Sequence, residues 1–238
     1  MNAYVPGIRR NPLGVGLLTA VLALWVLYTP GVEAVLRFVF PGETRLIYDR
    51  SPLTRFIGEH LALVAVGGVI AIVLGTIGGL IVVSPIGRPF RDVVLRLANF
   101  GQSVPSVAIM ALAVPSLGYG SRPVLLALVI YSILPVMVNV VAGVESVPRS
   151  VVEAGRGMGM TRAERLIQLE MPLAMPVIMT GIRTMLVILV SAATLGAVVG
   201  AGGLGVPIMS GIGSFNNAVV AYGAVPAILL ALIIDQAL

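Results

Sequence analysis

The segment 145–172 reads ESVPRSVVEAGRGMGMTRAERLIQLEMP and interrupts an otherwise apolar chain with four arginines and four glutamates. A charge-free run of 22 residues (123–144) precedes it. After it the only charge before Asp235 is Arg183, which leaves a charge-free run of 51 residues (184–234). Because roughly 20 apolar residues suffice to cross a bilayer, the segment is predicted to lie between membrane-spanning helices.

The composition of the whole chain agrees with a membrane protein. Of its 238 residues, 58% are hydrophobic and 11% are charged, against about 25% charged residues in soluble domains. We therefore expect an all-α polytopic membrane protein, because an open sheet cannot satisfy its backbone in lipid. The chain has no cysteine and a single histidine, His60. These counts exclude disulfides, thiolate chemistry and multi-histidine metal sites.

Six spans are predicted from the charge-free runs and from turn-forming residues. Four of them cover residues 11–32, 61–87, 97–121 and 123–144. The remaining run, 184–234, is too long for one crossing, and the Gly, Pro, Ser and Asn residues between 200 and 217 divide it into two. The first span could instead be a signal peptide. Its 22 apolar residues and the lack of an A-x-A cleavage site favour an uncleaved helix.

All 15 basic residues are arginines, and they cluster in alternate loops. In a soluble domain this excess of positive charge would suggest a nucleic-acid partner. In short loops between spans it acts as an orientation signal, so we expect no nucleic acid and both termini in the cytoplasm. Residues 33–60 then lie outside, and their four arginines and four acids predict a loop or a short surface helix.

A spaced motif lies within the charged segment. Glu153-Ala154-Gly155 is followed after three residues by Gly159, and after nine more by Leu169-Glu170-Met171-Pro172. The pattern resembles the EAA loop of ABC-importer permeases, which reads Glu-Ala-Ala, three residues, Gly, nine residues and Ile-x-Leu-Pro. Gly155 replaces the third small residue of that pattern, and Leu169 and Met171 are apolar substitutes. A plain solvated loop is the alternative, but it gives no reason for this spacing.

Such a loop suits two short helices separated at Gly159 in the left-handed conformation. Thr161 is the expected N-cap of the second helix, with Glu164 at the capping-box position. Met158, Met160, Leu166 and Leu169 would then form an apolar cytoplasmic surface for a partner. The resemblance implies an ATPase-coupling role for Glu153, Ala154, Gly155, Gly159, Thr161, Arg162, Leu169, Met171 and Pro172.

Three further stretches resemble the permease subunits of osmoprotectant importers, which carry glycine betaine, choline and carnitine. They are NFGQSVPS (99–106), MPLAMPVIMTGIRT (171–184) and GAGGLG (200–205). The similarity covers roughly residues 61–235. It divides the chain into residues 1–60, an N-terminal transmembrane helix with an outer loop, and residues 61–238, the permease core with its coupling loop 145–172.

The resemblance implies the transmembrane domain of a type I ABC importer in the plasma (inner) membrane of a bacterium or archaeon. The chain lacks the G-x-x-x-x-G-K-[ST] motif, so it is expected to be no enzyme and to bind no cofactor, with ATP hydrolysed on a separate subunit. The implied partners are cytoplasmic ATPase subunits, a second permease copy or homologue, an external solute-binding protein and membrane lipid.

Two other functions remain open at this point. A permease for methionine, another amino acid or another small solute could share the loop, because the loop reports the ATPase partner and not the cargo. A stand-alone channel or proton-coupled carrier is the other alternative. Proton coupling needs an ionisable relay within the membrane, and no acid lies between Asp92 and Glu145.

Uncharged polar residues in the spans are the candidates to line a transport pathway. They are Asn99, Gln102, Ser103, Ser106, Ser132, Asn139 and Thr194. Glycines and alanines at four-residue spacing, such as Gly67, Ala71, Gly75 and Gly79, predict close helix packing. Residues 200–205 fit the dinucleotide pattern G-x-G-x-x-G, but no βαβ unit surrounds them, so we expect a turn outside the membrane. His60 is expected at the membrane interface.

Overall fold

The computed structural model describes residues 11–238, apart from the side chains of Ala98, Gly101 and Gln102. Within this range the chain forms helices and no strand. The first six helices are α1 (Pro12–Leu27), α2 (Thr29–Val39), α3 (Leu53–Val83), α4 (Arg91–Ser103), α5 (Ser106–Leu117) and α6 (Ser121–Glu145). The others are α7 (Arg149–Gly157), α8 (Arg162–Arg165), α9 (Met171–Ala193), α10 (Gly205–Gly213) and α11 (Asn217–Ala237). Short segments of 3₁₀-helix (Arg88–Phe90, Thr194–Val199) and π-helix (Leu166–Glu170) join some of them.

The core is built where α3, α6 and α9 pack against one another through small residues. A Cβ placed on Gly75 would lie 2.7 Å from the Cβ of Val136, and one on Gly79 would lie 2.7 Å from the Cβ of Val140. Contacts under 3.0 Å leave no room for a side chain, so these glycines permit the close approach of α3 to α6. The helix-packing role predicted for the small-residue stripe is therefore confirmed.

Four helical segments are long and apolar enough to cross a membrane, and within residues 11–238 the bent pair α1 and α2 meets the same criterion only when the two helices are taken together. The four are Leu53–Val83, Ser121–Glu145, Arg162–Val199 and Asn217–Ala237. The remaining predicted span, 97–121, is wrong as a continuous helix, because the chain breaks between α4 and α5 at Val104 and Pro105. Proline lacks the N–H of a helical residue and disfavours helical backbone in the residue before it. The hydroxyl of Tyr131 donates to the carbonyl that Val104 leaves free.

The first predicted span, 11–32, is also shorter than expected. Helix α1 ends at Leu27, and α2 leaves Tyr28 at an angle of 95° to it. Pro30 stands in the first turn of α2, where the missing N–H costs nothing. α2 buries Val32 and Leu36. It overlaps the segment 33–60, in which a loop or a short surface helix is predicted, and the outer position of that segment stays a prediction.

The two ends of the helix bundle are held by different parts of the chain. We call residues 40–52, 200–204 and 214–217 the glycine-turn end, because the backbone of Gly200, Gly202 and Gly203 has positive φ there. Residues 84–90 and 145–172 form the coupling-loop end. Helix α3 connects the two ends with 31 residues, which corresponds to about 46 Å at 1.5 Å per residue.

Candidate coupling site and transport pathway

The first helix of the coupling loop, α7, ends in a glycine-dependent cap. The amide of Met160 donates to the carbonyl of Gly155 at 3.0 Å, and the amide of Gly159 donates to the carbonyl of Arg156 at 2.9 Å. Gly159 has a φ of +79°, and a Cβ placed on it would meet nothing within 4 Å. The position requires glycine because of its backbone conformation alone, as the sequence predicts for a helix C-terminus.

Gly155 is needed for a different reason. A Cβ on this residue would lie 2.8 Å from Cδ1 of Leu169 and 3.0 Å from Cδ of Arg165. Alanine, which the EAA pattern has at this place, would require the side chains of Leu169 and Arg165 to shift. The departure of this sequence from that pattern therefore matches a closer contact between the two halves of the loop.

Thr161 caps the second half of the loop. Its Oγ1 accepts from the amide of Glu164 at 3.3 Å, while Oε2 of Glu164 accepts from the amide of Thr161 at 2.7 Å. This reciprocal pair is the predicted capping box, and it satisfies two amides that a helix start otherwise leaves unpaired.

The second loop helix is not the separate short helix that the sequence predicts. It continues through a π-helical turn into α9, so that one helical segment runs over 38 residues from Arg162 to Val199. Pro172 has no N–H to pair with the carbonyl of Gln168. The amide of Met171 pairs with the carbonyl of Leu166, five residues earlier, which is the spacing of a π-helix. The second half of the coupling loop is therefore the N-terminal end of a long helix that reaches into the core.

The exposed surface of the loop differs from the predicted one in part. Glu153, Ala154, Thr161, Arg162 and Pro172 are exposed, and so is Met158, at 71%. Three of the four expected apolar surface residues are only half exposed, namely Met160, Leu166 and Leu169. Met171 is half exposed as well. Ile167 is 68% exposed, although no local signal in the sequence separates it from its neighbours. Met158 and Ile167 are thus the most exposed apolar side chains of the loop.

Polar contacts tie the loop end to the spans. Nη2 of Arg162 donates to the carbonyl of Val83 at 3.0 Å, at the end of α3. Nη2 of Arg91 donates to Oε2 of Glu145 at 3.0 Å, which joins α4 to the end of α6. The loop is therefore attached directly to α3 as well as being continuous with α9.

The predicted pathway residues do not meet in one cavity of this subunit. Asn99 and Ser103 on α4 are exposed, Ser106 is half-buried, and the side chain of Gln102 lies outside the described part of the chain. Thr194 lines an apolar cavity of about 320 Å³ to which none of the other candidates with a described side chain contributes.

The two pathway candidates on α6 are enclosed by the protein. Ser132 is buried, and its hydroxyl has no hydrogen-bond partner among the described residues. Asn139 lies against Gly181, and its amide nitrogen donates to the carbonyl of Pro135 at 2.8 Å. Asn139 thus packs against α9, and its place in a pathway stays a prediction. Within residues 11–238, no group of three or more His, Asp or Glu side chains could hold a metal ion.

Two features of the spans were missed by the sequence reasoning. Arg183 on α9 forms a bidentate ion pair with Asp235 on α11, with N–O distances of 2.6 and 2.7 Å. The sequence contains a signal for this ion pair, because Arg183 and Asp235 are lone opposite charges at the two ends of a 51-residue charge-free run and have few other partners. His60, expected at the membrane interface, is completely buried, and its Nε2 lies 3.1 Å from the carbonyl of Val190. α3 begins at Leu53, so His60 lies two turns inside it.

The comparison with known families agrees with the coupling-loop geometry. Residues 71–237 match the family described as binding-protein-dependent transport system inner membrane component. The chain belongs to this family. Its members are membrane components of transport systems, and the fold of this permease is consistent with such a role.

Curated relatives of this permease carry related descriptions. It is 40% identical over 187 residues to the glycine betaine/carnitine/choline transport system permease protein OpuCB of Bacillus subtilis, covering 76% of this chain and 82% of the relative. It is 37% identical over 184 residues to the osmoprotectant import permease protein OsmY of Salmonella typhimurium, covering 77% of this chain and 78% of the relative.

A solved structure supports the fold. The permease matches an inward-facing structure of the MetNI methionine ABC transporter with a TM-score of 0.69 and 24% identity, covering 77% of this chain and 91% of the other. At this identity the likeness concerns the fold alone. The family, as a component of binding-protein-dependent transport systems, sets aside the stand-alone channel and the proton-coupled carrier.

Proposed function

We propose that this permease is the membrane-spanning subunit of an ATP-driven importer for quaternary-ammonium osmoprotectants of the glycine betaine and choline type. The observation that carries the proposal is the capped loop around Gly159, which is continuous with a 38-residue helix into the core. The descriptions of the relatives in Bacillus subtilis and Salmonella typhimurium support the substrate class.

The coupling loop would receive a separate ATPase subunit on its exposed side. Met158 and Ile167 offer apolar contact area there, and Glu153 offers an exposed carboxylate. Movement of α7 would reach α9 through the contact of Gly155 with Leu169. It would reach α3 through the hydrogen bond from Arg162 to Val83. ATPase closure would thus act on two core helices at once.

A second permease copy or homologue would face the exposed side of α4. Asn99 and Ser103 lie on this helix, and their polar groups would then border a pathway between the two subunits. Residues 97–144 contain amides, hydroxyls and Tyr131 but no carboxylate that would trap a cation. A net-neutral betaine could pass such a path without a buried counter-ion. An external binding protein would select the solute, for example by cation–π attraction.

Uptake into proteoliposomes that contain the complete transport system tests the substrate. Labelled glycine betaine, choline and carnitine are compared with labelled methionine, with and without ATP inside the vesicles. We expect ATP-dependent uptake of at least one quaternary-ammonium solute and none of methionine. Uptake of methionine or another amino acid alone would refute the osmoprotectant assignment and leave the family assignment unchanged.

Single-cysteine labelling tests the orientation, because the chain contains no natural cysteine. Ser214→Cys lies at the exposed glycine-turn end and Arg162→Cys at the exposed coupling loop. With both termini in the cytoplasm of a plasma-membrane protein, an impermeant maleimide should label Ser214→Cys in intact cells. It should label Arg162→Cys only after permeabilisation. The reverse pattern would overturn the orientation.

A further inference from the structure

A polar cavity of about 210 Å³ lies behind the coupling loop, where the ends of α3 and α6 meet α7 and the long helix. Its charged lining consists of four arginines and two glutamates: Arg88, Arg156, Arg162, Arg165, Glu145 and Glu170. None of Glu153, Met158 and Ile167, which form the proposed ATPase surface, lines this cavity.

Arg165 is the most enclosed of the four arginines, with 9% of its surface exposed. Its Nη1 donates to the carbonyl of Met160 at 3.0 Å, whereas its Nε is buried without a hydrogen-bond partner among the described residues. A guanidinium has five N–H donors, and a buried one that finds no acceptor is costly. Arg165 therefore lines this cavity and carries one buried donor without an acceptor.

The charges around the cavity do not balance. Glu145 is already paired with Arg91, which does not line the cavity. Glu170 is then the one lining carboxylate left for four guanidinium groups. Arg88, Arg156 and Arg162 are exposed, so solvent lowers the repulsion among these charges, and an opposite charge between them would lower it further.

We propose that this cavity binds a phosphate-type oxyanion, either a lipid headgroup phosphate or a free phosphate group. The planar fork of arginine donors matches the oxygens of a phosphate, and several such forks meet here. The cavity lies at the last residues of two spans, Val83 and Glu145. A headgroup phosphate of the adjacent leaflet and a phosphate in solution could both reach this depth.

The bound anion would connect three separate parts of the chain. Arg88 follows α3, Arg156 lies on α7, and Arg162 lies on the long helix. An oxyanion that accepts hydrogen bonds from all three holds α7 against the spans. The anion is in this way a structural link of the coupling loop, whichever solute the permease carries.

Binding is measured on the purified permease–ATPase complex with two probes. Native mass spectrometry counts the phospholipids retained after reconstitution in phosphatidylcholine nanodiscs with and without phosphatidylglycerol. Calorimetric titration of the delipidated complex in detergent measures the affinity for inorganic phosphate. The variants are Arg88→Gln and Arg156→Gln, both at exposed positions, and Glu170→Gln, which removes the competing carboxylate. Arg50→Gln, exposed at the glycine-turn end, is the matched control.

Each cavity arginine variant should lower the affinity for the bound probe by about tenfold, the equivalent of one charged hydrogen bond. Glu170→Gln should strengthen binding, and Arg50→Gln should leave it unchanged. Loss of one retained phospholipid without phosphate binding identifies the lipid as the source, whereas phosphate binding identifies the free anion. Absence of both, or equal losses in Arg50→Gln, would overturn the proposal.

Discussion

The coupling-loop end and the glycine-turn end both depend on glycines of positive φ, but the contacts that hold them span different distances along the chain. At the coupling-loop end, Gly159 pairs with Arg156 and Thr161 pairs with Glu164, three residues apart in each case. At the glycine-turn end, the amide of Gly203 donates to Glu59 across 144 positions. The turns of the coupling loop are held by local hydrogen bonds, although Arg162 also binds Val83 at the end of α3, whereas the glycine turn is held to α3 from 144 positions away.

The largest effect, a loss of uptake, is expected for Gly159→Val, which tests the coupling-loop end. A β-branched residue at a φ of +79° is strained by about 1–3 kcal/mol. We expect ATP-driven uptake to be lost while the protein still inserts into the membrane, because the strain falls on the loop and not on the spans. Uptake and ATPase co-purification are the two measurements.

Gly157→Ala is the matched control for this prediction. Gly157 also has open space around a Cβ, but it lies within α7 and its φ is not positive. Alanine there should be tolerated or slightly stabilising, since it favours the helix. If Gly159→Val kept both uptake and ATPase association, the assignment of the coupling loop would fail.

The same contrast explains which features the sequence could predict. The spacing of Glu153, Gly159 and Thr161 predicts a helix end and a capping box because the partners lie within the same few residues. The burial of His60 and the hydrogen bond from Gly203 to Glu59 depend on packing between segments that are far apart in the sequence. The spacing of apolar residues along the chain does not predict which distant segments meet. Apolar runs predict the spans, but one of them is broken at Val104 and Pro105. An apolar run does not report which proline ends a helix, since Pro135 and Pro226 lie inside helices of the same chain.

Asn216 allows the two kinds of contact to be separated at one residue. Its Oδ1 accepts from the amide of Val219 at 2.9 Å and caps α11, while its Nδ2 donates to the carbonyl of Arg45 at 2.9 Å, 171 positions away. Asn216→Ala should cost about 2 kcal/mol, roughly half from the cap and half from the long-range hydrogen bond. Asn216→Ser keeps a capping oxygen but cannot reach Arg45, so it should cost about 1 kcal/mol.

Denaturant titration in mixed micelles measures both variants against the unsubstituted protein. Equal losses for Asn216→Ala and Asn216→Ser would mean that the cap contributes nothing. No loss for Asn216→Ser would mean that the link to Arg45 is unimportant for stability, and the difference drawn between the two ends would then lose its support.

The smallest loss of stability is expected for Arg55→Ala, which removes a local contact next to the glycine-turn end. Nε of Arg55 donates to Oε1 of Glu59 at 2.8 Å, one helical turn away, and the arginine side chain is 65% exposed. An exposed pair of this spacing contributes about 0.5 kcal/mol or less. Oε2 of Glu59 keeps its hydrogen bond to Gly203 in the variant, so the long-range contact survives. A loss in the same titration as large as that of Asn216→Ala would show that Arg55 positions the Glu59 carboxylate for Gly203, and that local and long-range contacts at this end act as one unit.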